Sequence, residues 1–215
     1  MKKKILALSL AVALLAIMVT GTLAYFTDND EVTNTFTIGS VKIKVVEDFQ
    51  EPQTMIPVVT PDDTDPNYIN KDARVENTGK NDAYVQMFVA VPKALADVGA
   101  FVVVPAQEGG WEDEPTFVGT AEIEPGVMFN IYRYRYASIL EPGDETPNAI
   151  TAAYLAPQLD YDHDTNRFVM NGTVIDAYVP GENINIYVAA QAIQAQGFSD
   201  ATTALNSGFT THPWG

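Results

Sequence analysis

The run YVQMFVAV, Tyr84 to Val91, constrains the fold more than any other stretch of this chain. As a strand it puts Val85, Met87, Val89 and Val91 on one face. Tyr84, Phe88 and Ala90, with Gln86, fill the other. A strand apolar on both faces belongs in the middle of a sheet packed on both sides, or it faces a partner.

Period-2 alternation dominates the rest of the chain after residue 24, and long helical periodicity is rare. Val41, Ile43 and Val45 alternate with Lys42, Lys44 and Val46, which predicts a half-buried strand. Phe36 and Ile38 alternate in the opposite phase, so Gly39-Ser40 is expected to hold a bulge or bend. Further strands are expected at Ala73–Asn77, Phe101–Val104, Thr116–Ile123, Val127–Ile139, Phe168–Met170, Val174–Val179 and Asn183–Ala190. Turn chemistry separates them at Asn77-Thr78-Gly79, Pro125-Gly126, Pro142-Gly143-Asp144 and Pro180-Gly181-Glu182. Short helices are expected at Pro92–Val98, at Asn148–Leu155 and, capped by Ser199 or Asp200, through Leu205. Many short strands between Pro/Gly turns predict an all-β, antiparallel β-sandwich of jelly-roll type with a few short helices. No repeat and no long linker divides residues 25–215, which read as one domain. Within it Gln50–Asn67, with four prolines, reads as an extended loop that cannot ladder centrally.

The first residues are of another kind. Lys2, Lys3 and Lys4 precede an apolar run from Ile5 to Val19 that only Ser9 interrupts. At about 1.5 Å per residue that run falls short of the hydrocarbon core of a bilayer as a helix. Thr22 and Ala24 then place small side chains where a signal peptidase pocket requires them. Residues 1–24 therefore read as a cleaved signal peptide, with Tyr25 as the new N-terminus; an uncleaved anchor is the alternative.

The chain holds 12 basic and 28 acidic side chains, a formal charge of −16. Loss of the leader's three lysines takes it to −19. Such a surface argues against nucleic acid, whose phosphates need a basic face, and fits a self-repelling or cation-binding one. Cysteine is absent, which excludes disulfides, Cys-based zinc sites and a Cys nucleophile.

GTLAYFTDNDEVTNTFTIGSVKIKV, from Gly21, resembles the N-terminus of the TasA and camelysin group of Gram-positive bacteria, exported through the SipW type of signal peptidase. In that group a Gly-Thr-x-Ala-aromatic-Phe stretch straddles the cut, and Asn-Thr-Phe-x-x-Gly (here Asn34–Gly39) leads into an alternating strand. Two further blocks are similar to the group: NKDARVENTGKNDAYVQMFV (Asn70–Val89) and AAQAIQAQGFSDATTALNS (Ala189–Ser207). The resemblance implies fibre growth by donor-strand exchange, in which an N-terminal segment freed by the peptidase adds to a neighbour. Here that segment would use Tyr25, Phe26, Val32 and Phe36 as its apolar anchors. Alternatively Phe36 onward is the first strand of the chain's own sheet, and Tyr25–Thr33 a frayed end.

Three other constellations have plainer readings. Asp160, Asp162 and Asp164 in LDYDHDTNRF have the alternate spacing of a calcium loop, but the Gly of such loops is replaced by Thr165 and the distal Glu is missing, which favours a solvated acidic turn. Tyr132, Tyr134 and Tyr136 share one strand face and Arg133 and Arg135 the other. That pattern suits either an aromatic platform for glycan or cross-strand packing with arginines paired to an acidic neighbour strand, and the packing is favoured. Only two histidines exist, His163 and His212, no His-Glu-x-x-His pair is present, and no Gly-x-Ser-x-Gly motif appears. No catalytic, metal or cofactor site is assigned. The expected function is a secreted, non-enzymatic structural protein of extracellular fibres, in a biofilm matrix or at the cell surface. Its partners are copies of itself or related subunits, and the signal peptidase during export. A monomeric binding module is the alternative, and a camelysin-type metallopeptidase ranks last.

Overall fold

A computed structural model describes residues 27–30, 41–48, 55–176 and 183–215. They form β1 (Thr27–Asp30), β2 (Ile43–Asp48), β3 (Ile69–Asn77), β4 (Ala83–Pro92), β5 (Phe101–Pro105), β6 (Thr116–Glu124), β7 (Val127–Arg135), β8 (Ile150–Leu155), β9 (Leu159–Asp162), β10 (Arg167–Met170), β11 (Thr173–Ile175) and β12 (Tyr187–Gln194). The helices are α1 (Lys93–Ala96) and α2 (Ala201–Gly208). Among the described residues no helix is long and apolar enough to cross a membrane.

Two antiparallel sheets face each other, one ordered β1-β12-β4-β7-β6 and the other β2-β3-β8-β5. A small sheet, β11-β10-β9, contributes Leu159, Met170 and Ile175 to the same core. The chain crosses between the two large sheets at β3–β4, β4–β5, β5–β6 and β7–β8, the woven connectivity of the jelly-roll class. The all-β sandwich predicted from alternation is the architecture observed.

The doubly apolar strand sits where its composition requires. All of β4 is buried, between β12 and β7. Val85, Met87, Val89 and Val91 enter the core between the sheets with Val75, Ile150 and Leu155. On the outer side Tyr84 packs with Ile193, Ala204 and Leu205 of the C-terminal elements, and Phe88 and Ala90 pack with Phe129 and Ile131. The five-stranded sheet is thus covered twice, by the second sheet inside and by α2 and the following tail outside.

Helix α2 begins where its sequence provides a cap: the Asp200 carboxylate accepts from the Thr203 backbone N–H at 2.7 Å, and Thr203 Oγ1 adds a second bond. Strand β3 alternates as an antiparallel strand with one solvated face does, burying Lys71, Ala73, Val75 and Asn77.

Three expectations need correction. Asn148–Leu155 is not a helix; all of it from Ile150 onward is β8, held between β3 and β5. Strand β7 stops at Arg135, after which Tyr136 makes only an isolated bridge to Trp111. Strand β12 starts at Tyr187 rather than Asn183 and runs on to Gln194. The bend expected at Gly39-Ser40 lies outside the described residues.

Candidate functional site

An edge of the five-stranded sheet is the candidate. Strand β12 pairs with β4 over Tyr187–Gln194 on one side. On its other side it pairs antiparallel with β1 in the register Thr27↔Ile193, Asp28↔Ala192, Asn29↔Gln191 and Asp30↔Ala190. Four residues of the segment that begins just after Tyr25 are therefore the outermost strand. On the core side β12 presents Ala190 and Ala192, both fully buried. On the outer side Gln191 donates to the Thr211 carbonyl at 3.3 Å and Ile193 packs on α2. The β1 backbone bonds are worth roughly 1 kcal/mol each net, so so short a pairing is a weak closure of the sheet.

The other edges are blunted. Strand β6 carries register shifts at Phe117/Gly119 and Glu122/Glu124, and Gly119 holds φ +142. Strand β5 shifts register at Val104/Pro105 and ends in proline. Strand β2 exposes Lys44, Glu47 and Asp48. Bulges, proline and charge are the ordinary devices against edge-to-edge pairing, and the β12 edge is guarded instead by four residues of the chain's own N-terminal segment.

The anchors Tyr25, Phe26, Val32 and Phe36, and the cleavage residues Thr22 and Ala24, lie outside the described residues. The tyrosine strand makes no exposed platform. Tyr134 is buried in the core, where desolvation pushes its phenol far above the ordinary range. Tyr132 and Tyr136 pack against the same core and meet Phe117 and Trp111 at ring distances of 5.9 and 5.3 Å. The arginines differ from the expected acidic strand pairing. Arg135 reaches Glu112, in the segment before β6, at 3.5 Å and donates to Thr202 Oγ1 and Asn206 Oδ1 at 3.1 and 3.0 Å.

The three aspartates of the acidic segment do not converge. Asp160 accepts from the N–H of Tyr161, its own neighbour, at 2.7 Å. Asp162 ends β9 and closes the β9–β10 turn, accepting from the Thr165 hydroxyl at 2.8 Å and the Asp164 N–H at 2.9 Å. Those bonds, the hydroxyl first, hold its carboxyl below the usual carboxylate range. No group of three His, Cys, Asp or Glu side chains comes together to hold a metal among the described residues. His163 packs against Tyr161 in this turn, whereas His212 lies in the C-terminal tail by Trp214. Asp65, within the expected Gln50–Asn67 loop, is 8% exposed and accepts from the N–H groups of Val59, Thr60 and Asn67.

Residues 1–91 match the family model described as camelysin metallo-endopeptidase. The match takes in residues 1–24, the Asn34–Gly39 block, β2, β3 and nearly all of β4. The recognised resemblance is thereby shown over that part of the chain. No curated protein matches.

Proposed function

We propose that this chain, whose first 91 residues match the camelysin family, is an exported, non-enzymatic structural protein that polymerises into extracellular fibres by exchange of its N-terminal strand. The observation that carries the reading is the pairing of Thr27–Asp30 with Ala190–Ile193 at a sheet edge. In a monomer the strand closes its own edge. In a fibre the same backbone bonds form between subunits, so the edge pairing is conserved and polymerisation gains whatever the apolar anchors bury in the neighbour. Cleavage after Ala24 frees the strand to leave. The sandwich loses only its outermost strand in the exchange.

The endopeptidase description belongs to the family model. A zinc peptidase needs three protein ligands and a base, and the separate settings of His163 and His212 favour a non-catalytic reading. The test has two arms. Mass spectrometry of the exported protein should give Tyr25 as its first residue, and electron micrographs should show fibres that vanish when residues 25–33 are deleted. Monodisperse particles under every salt and pH, or chelator-sensitive proteolysis lost in His163→Ala, would overturn the reading.

A further inference from the structure

On the outer face of the five-stranded sheet lies a cavity of about 270 Å³, bounded by β4, β6, β7 and the C-terminal tail. Gln86 and Phe88 of β4, Val118 of β6, Arg133 of β7, and Phe209 and His212 of the tail are among its lining. The tail is tied to β4 through a chain of amides: Gln86 Nε2 donates to Gln191 Oε1 at 2.7 Å, and Gln191 Nε2 donates to the Thr211 carbonyl at 3.3 Å.

Two polar atoms of this lining are buried without a hydrogen-bond partner, Arg133 Nε and His212 Nδ1. Arg133 also takes no part in the ion pairs among the described residues. Its strand neighbour makes the contrast. Arg135, on the same face, is held by Glu112 and two side chains of α2. With 28 acidic against 12 basic side chains, scarcity of carboxylates does not explain a bare guanidinium. Arg133 is half-buried, and a buried Nε–H left without an acceptor is costly; the two arginines also repel, Arg133 helping burial to lower the pKa of Arg135.

We propose that this cavity is a binding site for a small carboxylate that carries an amide and a short apolar side chain, as the terminal residue of a peptide does. The guanidinium fork is the geometry that accepts a carboxylate in two parallel bonds. Arg133 brings a guanidinium to the lining, and burial lowers the pKa of His212, which disfavours a second cation there and suits a monoanion rather than a phosphate dianion. Phe88, Val118 and Phe209 take the apolar side chain, and Gln86 is placed for the amide. The volume is at the small end of ligand pockets, enough for one or two residues. This site does not depend on polymerisation.

The test is calorimetric titration of the whole exported protein with N-acetyl-L-leucine, N-acetyl-L-leucinamide, acetate and inorganic phosphate. N-acetyl-leucine is expected to bind with a dissociation constant of about 1 mM or tighter, the leucinamide and acetate at least about tenfold more weakly. Arg133→Met should abolish binding and melt no lower than the parent, because Arg133 gives up no bond. Val118→Phe, which fills the cavity and leaves Arg133 in place, should abolish it too. Equal binding of the leucinamide, phosphate binding as tight as the N-acetyl amino acid, unchanged binding by Arg133→Met, or no binding of N-acetyl-leucine would each overturn the proposal.

Discussion

Single side chains in this protein mostly do structural work that the sequence disguises. Asn77 reads as a turn residue, yet it is fully buried: its Nδ2 donates to the carbonyls of Asn81 and Leu140 at 2.9 Å, and its Oδ1 accepts from the Gly79 N–H. Asn77→Ala strands those partners in a dry site, and denaturant titration should show a loss of roughly 2–3 kcal/mol. Asp65 provides a pH readout. Backbone bonds, those of Asn67 and Val59 first, lower its pKa from 3.8. A depressed carboxyl stabilises the fold above its ordinary value, and the stabilisation is lost as pH falls through the lowered one. The protection factors of the Val59, Thr60 and Asn67 amides against hydrogen exchange should therefore fall on acidification through that range and stay flat in Asp65→Asn. Arg133 was legible as a strand residue but not as a site, because its partners in the cavity come from β4, β6 and the tail.

At the scale of elements, patterning served best where both neighbours agreed with it. The doubly apolar run became β4, and the capping Asp200 placed α2. The misread segment was β8, where Ala152, Ala153 and Leu155 favour a helix locally. Pairing with β3 and β5 inside the four-stranded sheet overrode that preference, as the context dependence of strand propensity allows. Strand β9 went unseen because its alternating aspartates look like loop. The edge itself was half legible: the sequence predicted a free N-terminal strand but not that Ala190–Ile193 would receive it. Leu205→Ala should lower stability by about 2–4 kcal/mol by opening a void under α2. In an antiparallel edge strand successive N–H groups point alternately toward and away from the neighbour. Prolines at both Asp28 and Asn29 must then delete one bond to β12 whichever way the strand faces. The double variant should keep the melting temperature within a few degrees and form no fibres in sedimentation.

Charge governs the whole molecule. A chain at −16 repels copies of itself. Assembly should quicken with acid, with raised ionic strength or with divalent cations, all of which screen or neutralise carboxylates; light-scattering rates that peak at low salt and high pH would contradict this. Absence of cysteine leaves such a fibre to packing and backbone bonds alone. The most direct test of strand exchange is solid-state NMR on fibres grown from equal parts of ¹⁵N-labelled and ¹³C-labelled protein. Exchange predicts nitrogen–carbon transfer between Thr27–Asp30 of one population and Ala190–Ile193 of the other. Fibres in which that transfer appears only when a single population carries both labels would show each subunit keeping its own strand, and would contradict the account.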